Sequence, residues 1–223
     1  PAELPPGFVL AAITQREDPL DAFVSSRFAS FDALPEGALV GTSSLRRQAQ
    51  IAAFHPRLRI ALLRGNVETR LAKLDRGEYD AIILAVAGLV RLGLAGRIRA
   101  RIAPEAMLPS PGQGALGIEC LASRPDLIEL VSALEDATTA ACVRAERAVS
   151  RGLGGNCTIP LGAYAQASAG RLLLTALVAS PDGKRVVRAQ AEGGLAQAVA
   201  LGEQAARRLE EQGAREILSA LGA

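Results

Sequence analysis

The chain has 223 residues, 49% of them hydrophobic and 22% charged, with a formal net charge of +2, a profile that excludes fibrous and disordered classes and fits one to three globular domains. The longest uncharged apolar run, 81–90, spans ten residues between Asp80 and Arg91, far short of the roughly 20 that cross a bilayer. No basic segment followed by an apolar one opens the sequence, so a cytoplasmic protein without a membrane partner is expected.

Residues 8–13 read as a strand, and Arg16-Glu17-Asp18-Pro19 as a crossing between two units. An alternation follows. Ala38-Leu39-Val40 is a short apolar run, Gly41-Thr42-Ser43-Ser44 a turn, and residues 45–54 a helix with Leu45, Ile51, Ala52 and Phe54 available for one face. Residues 59–63 form a second strand, Arg64-Gly65-Asn66 a turn, and 67–76 a helix that Gly77 is placed to stop. A third strand (80–85) and a third short helix (86–92) complete the series. Strands spaced by helices predict parallel βαβ units in an open doubly wound sheet.

Pro109-Ser110-Pro111-Gly112-Gln113-Gly114 has the composition of a hinge. With the crossing at 16–19 it brackets residues 20–108 as an inserted α/β domain, a two-hinge arrangement like that of periplasmic binding proteins. The flanking strands, 8–13 and 115–121, have no evident partner in the chain; segments 1–15 and 115–132 read as the remnant of a first domain. From Ala137 the pattern changes to a helix (137–150), strands at 159–166, 172–179 and 185–191 with a turn at Pro181-Asp182-Gly183, and helices at 195–211 and 214–221. This predicts a C-terminal α+β domain, 137–223, with a three-stranded antiparallel sheet.

Charge is unevenly spread. Residues 41–108 carry twelve Lys and Arg against five Asp and Glu, a local +7, which leaves 13 against 18, or −5, for the rest. Of the 25 basic residues only Lys73 and Lys184 are lysine, and arginine's planar fork grips carboxylates bidentately. Ligands of doubly wound sheets bind beyond the carboxyl ends of the strands, at helix N-termini. Those ends here are Gly41-Thr42-Ser43-Ser44-Leu45-Arg46-Arg47, Arg64-Gly65-Asn66-Val67-Glu68-Thr69-Arg70 and Ala85-Val86-Ala87-Gly88-Leu89-Val90-Arg91. Singly, these residues read as helix caps and surface arginines; three such loops converging at one sheet edge point to a small polyanion. Aromatics make up 3% of the chain and only Phe54 and Tyr79 fall within that basic segment, so base-stacking platforms are missing and nucleic acid is not the expected partner.

Cys120, Cys142 and Cys157, with the lone His55, fit no zinc spacing; reduced thiols and no metal are expected. Cys120 and Cys142 sit among apolar neighbours as small core residues. Cys157 lies in Gly152-Leu153-Gly154-Gly155-Asn156-Cys157-Thr158-Ile159-Pro160, a glycine-rich loop that gives a sulfur little cover.

Taken together, Gly41-Thr42-Ser43-Ser44-Leu45-Arg46-Arg47-Gln48, Leu63-Arg64-Gly65-Asn66-Val67 with Thr69-Arg70-Leu71, Tyr79-Asp80-Ala81-Ile82-Ile83-Leu84-Ala85, Gly112-Gln113-Gly114 and Gly155-Asn156-Cys157-Thr158-Ile159-Pro160-Leu161-Gly162 resemble the hydroxymethylbilane synthase (porphobilinogen deaminase) family over the whole chain, in order and spacing. The resemblance implies a transferase of haem and other tetrapyrrole biosynthesis. Its members condense four porphobilinogen molecules, releasing ammonia, into linear hydroxymethylbilane on a dipyrromethane primer. It places the primer in thioether linkage on Cys157, with its carboxylates on Thr42, Ser43, Ser44, Arg46, Arg47 and Arg70. Arg64, Asn66, Arg91 and Gln113 are implied for incoming and translocating rings, Arg64 nearest the condensation. A soft exposed sulfur suits the electrophile left when an aminomethylpyrrole loses ammonia, and two carboxylates per pyrrole explain an arginine-lined cleft.

One departure matters. The family's catalytic aspartate closes a Lys-Asp-Val-Pro type segment, and this sequence starts at the proline, Pro1. The chain as given is therefore expected to lack its N-terminal part and to be inactive alone, and a monomer is the family expectation. The competing reading is a non-catalytic, periplasmic-binding-protein-like module for a polycarboxylate.

Overall fold

The computed structural model describes residues 4–154 and 159–221. In chain order the elements are β1 (Phe8–Ile13), β2 (Asp21–Val24), β3 (Leu39–Thr42), α1 (Leu45–Phe54), β4 (Arg59–Leu62), α2 (Val67–Asp75), β5 (Ala81–Ala85), α3 (Val86–Arg91), β6 (Ala100–Ile102), β7 (Gly117–Leu121), α4 (Pro125–Ser132), α5 (Ala137–Gly152), β8 (Leu161–Ser168), β9 (Arg171–Ala179), β10 (Val186–Gly194), α6 (Ala198–Glu211) and α7 (Ala214–Ser219). They build three sheets, with strand orders β1-β7, β4-β3-β5-β2-β6 and β10-β9-β8.

The local signals act as expected. Ser44 and Asn66 cap α1 and α2 by accepting the backbone N–H groups of Arg47 and Thr69, and Asp136 does the same for α5 through Thr139. The five-stranded sheet is doubly wound. Phe23, Val40 and Ile83 pack with Ile51 of α1 on one face. On the other, Ala22, Val24, Ile82 and Leu84 pack with Leu71 and Leu74 of α2 and Leu89 of α3.

Two expectations need correction. The sheet is mixed rather than parallel: β3, β4 and β5 run parallel, but β2 is antiparallel to both β5 and β6. β2 is entered straight from the 16–19 crossing with no helix before it, and parallel pairing of successive strands is what demands a crossover helix. The flanking strands do find partners, namely each other: β1 pairs antiparallel with β7, Val9 opposite Cys120 and Ile13 opposite Gly117. The whole five-stranded sheet is thus inserted between the two strands of one ladder, and the chain crosses twice. The crossings run side by side, with Thr14 N–H on Leu116 O at 3.0 Å and Glu17 N–H on Gly114 O at 3.2 Å. Gly114 has a φ of +87°, and a Cβ there would lie 2.5 Å from the Glu17 carbonyl oxygen, so glycine is what lets them approach.

The C-terminal sheet is antiparallel throughout. One face is covered by α5 and α6, whose Ala145, Val149, Leu201, Ala205 and Leu209 pack on Leu174, Ala176 and Val178. α1 touches this sheet as well as its own: Ala49 packs with Leu108, Leu177 and Ala179. The β9–β10 turn closes on the same helix. A Cβ at Gly183, where φ is +72°, would sit 2.3 Å from the backbone nitrogen of Ala53.

Candidate anion site

The carboxyl ends of β3, β4 and β5 share one edge of the five-stranded sheet. Because β2 runs the other way, its first residue arrives at that edge too: Asp21 lies opposite Ala85, the last residue of β5. Asp21 is completely buried. It went unnoticed in the sequence because its placement depends on the reversed strand.

Asp21 holds both arginines of α1's first turn. Its carboxylate accepts from Arg46 Nη1 at 2.7 Å and Nη2 at 3.2 Å, and from Arg47 Nη2 at 2.7 Å and Nε at 3.0 Å. Arg46 Nη1 also donates to Leu108 O, and Arg47 Nη1 to Ile83 O. Arg46 and Arg47 are 4% and 8% exposed. Three buried charges leave a net +1, and Arg46 Nε is buried with no acceptor among the described residues. The Thr42 hydroxyl, buried at the end of β3, accepts Ser44 N–H at 3.2 Å, while Ser43 is exposed and Ser44 partly so.

Burial alone would raise the Asp21 carboxyl, but the two guanidiniums outweigh it and hold it at about 2, against an ordinary 3.8. A depressed folded value means stabilisation that is present above about pH 4 and lost as pH falls toward 2, worth roughly 2 kcal/mol. Urea denaturation across pH 2–5 is expected to show this slope, and Asp21→Asn to lack it; an unchanged slope in the variant would count against the pairing.

The other expected residues are placed less uniformly. Arg70 is half-buried; its Nε donates to Gly65 O at 2.7 Å, and burial, with the nearby Arg47 charge, pulls its pKa down. Asn66 is exposed and its Oδ1 is engaged as the α2 cap. Arg64 is exposed, and among the described residues its guanidinium has no partner. Arg91 reaches the second crossing instead, donating to Gly114 O at 2.8 Å. Gln113 is wholly engaged within the protein: Nε2 donates to Pro19 O at 2.6 Å and to Asp21 Oδ1 at 3.0 Å, and Oε1 accepts Arg46 Nη2 at 3.4 Å. Cys157 lies outside the described residues.

A second buried carboxylate, also missed in the sequence, ties the crossings to the C-terminal sheet. Glu146 of α5 is completely buried and accepts from Arg16 Nη1 at 2.6 Å, Arg16 Nη2 at 3.1 Å, Gly112 N–H at 2.6 Å and Ala165 N–H at 2.9 Å. Arg16 Nε donates to Gln113 O at 2.8 Å, and its guanidinium lies 5.3 Å from the Tyr164 ring centre. Asp18 and Asp80 serve local structure, Asp18 accepting Leu20 N–H and Arg101 Nε, Asp80 accepting Leu39 N–H and pairing with Arg27.

The donor set suits a polycarboxylate primer: surplus positive charge at a helix N-terminus, hydroxyls beside it and an orphaned guanidinium N–H. Comparison with known proteins agrees. Residues 1–129 match the family model "Porphobilinogen deaminase, dipyromethane cofactor binding domain", and residues 140–211 match "Porphobilinogen deaminase, C-terminal domain". The chain is 59% identical to the porphobilinogen deaminase of Ralstonia nicotianae, over 100% of this chain and 68% of that protein. It is 55% identical to those of Thiobacillus denitrificans (100% and 73%) and Neisseria meningitidis serogroup A (99% and 71%). The dipyrromethane-binding domain and the C-terminal domain are thus both represented, and the chain belongs to the porphobilinogen deaminase family.

Proposed function

We propose that this chain forms the primer and substrate cleft of a hydroxymethylbilane synthase, which condenses four porphobilinogen molecules into linear hydroxymethylbilane with release of ammonia. The observation that carries the reading is the net positive Asp21–Arg46–Arg47 cluster, with Arg46 Nε unpaired among the described residues. When bound, the dipyrromethane supplies the pyrrole carbon on which chain growth begins. Cys157 holds it through a thioether, and Thr42, Ser43, Ser44, Arg46, Arg47 and Arg70 hold its carboxylates. Arg64, exposed and without a side-chain partner among the described residues, takes the carboxylates of the incoming ring, and Asn66 and Arg91 serve rings further along. Each charge-assisted contact contributes about 1.5–3 kcal/mol.

The domain assignment goes with this reading: 1–15 with 115–132, 20–108, and 137–223, one sheet in each. So does a cytoplasmic monomer without nucleic-acid or membrane partners. Among the described residues no helix is long and apolar enough to cross a membrane.

Intact-mass analysis of the full-length protein tests the reading. An added primer mass is expected, with a reddening reaction toward acidic aldehyde reagent, both absent in Cys157→Ser. An unmodified thiol in the wild type would instead favour a polycarboxylate-binding module.

A further inference from the structure

Asp21 is an expensive residue if its role is to stabilise the fold. Burying a carboxylate and two guanidiniums costs several kcal/mol in desolvation, and apolar residues of similar volume commonly stabilise as well or better. The cluster also carries one positive charge in excess and one donor, Arg46 Nε, with no acceptor among the described residues. The geometry specifies direction as well as charge. Asp21 meets Arg46 through both terminal nitrogens and Arg47 through Nε and Nη2, so one carboxylate fixes two guanidinium planes. Gln113, from the second crossing, joins Asp21 to Arg46 and also holds Pro19 of the first crossing.

We infer that Asp21 is a positioning residue for primer binding: it orients Arg46 and Arg47 and cancels one of their two charges, so that the pair presents a single net charge to an incoming carboxylate. Gln113 closes the same ring and makes its geometry depend on the two crossings. Asp21 itself touches no ligand in this account. The inference rests on the arginine pair being the primer anchor.

The test uses full-length protein carrying Asp21→Asn, Asp21→Glu or Arg47→Gln, each shown by circular dichroism to be folded at the assay temperature. Primer occupancy is read by intact mass, and kcat and KM for porphobilinogen are measured on the loaded fraction. Asp21→Asn keeps the shape and removes the charge, and is expected to lower occupancy about tenfold or more, equivalent to one lost charge-assisted contact, with Asp21→Glu restoring part of it. Wild-type occupancy in Asp21→Asn together with loss in Arg47→Gln would overturn the positioning role while leaving the anchor intact. Full occupancy in both would overturn the anchor reading itself. If Asp21→Asn does not fold, Gln113→Leu decides: it opens the same ring without stranding a charge. About threefold lower occupancy, less than half a lost contact, is then expected, and unchanged occupancy refutes the inference.

Discussion

Replacing Arg16 with leucine is expected to destabilise the protein by about 3–5 kcal/mol, because it strands a buried carboxylate. Glu146 has no exposure to solvent and two of its four donors come from Arg16. The remaining donors, Gly112 N–H and Ala165 N–H, do not neutralise it. The loss also frees the Gln113 carbonyl and the face of Tyr164. A second change, Glu146→Gln, is expected to recover about 1 kcal/mol, since it removes the orphaned charge, while its single amide oxygen can keep only one of the two backbone N–H groups that now reach different carboxylate oxygens. Urea denaturation of the single and double variants measures both values. A cost below about 1 kcal/mol for Arg16→Leu would show that the carboxylate is compensated by other means.

Arg64→Leu is expected to behave in the opposite way. Its guanidinium is exposed and unpartnered among the described residues, so stability is expected to stay within about 0.5 kcal/mol of wild type. Turnover, by contrast, is expected to fall about a hundredfold, as the loss of two charge-assisted contacts to an incoming ring implies. Mass analysis of the full-length enzyme mixed with porphobilinogen is expected to show stalling with the primer still attached. If Arg64→Leu instead elongates normally, the carboxylates of the incoming ring are held elsewhere.

Much of the architecture was legible because it rests on local rules. The caps at Ser44 and Asn66, the stop at Gly77 and the turn at 181–183 carry their geometry in residue type alone. The pairing of β1 with β7 was not legible, since its partners are separated by the whole inserted sheet and neither strand encodes the other. β2 hid for a related reason: four residues, all buried, give no alternation to read, and its reversed direction is a property of the sheet. That reversal also explains the main omission at the site. Arg46 and Arg47 were readable as a pair of cations at a helix start, turned toward an anion at the sheet edge. Their burial follows from Asp21, which no spacing rule could bring to the same edge. Arg16 and Glu146 are separated by more than half the chain and escaped notice for the same reason.

α1 is gripped from two sides. Ile51 is sealed into the core beneath the five-stranded sheet, Ala49 packs with Leu177 of the C-terminal sheet, and Gly183 in the β9–β10 turn lies so close to Ala53 that no side chain fits between them. Interiors packed this closely move as blocks rather than sliding. The helix that carries the arginine pair therefore shares one frame with the sheet whose first strand, β8, follows the cysteine loop. On the proposed reading, hinge movement at the crossings would shift the β1–β7 ladder relative to the arginine pair while leaving the pair's own seat against the C-terminal sheet unchanged.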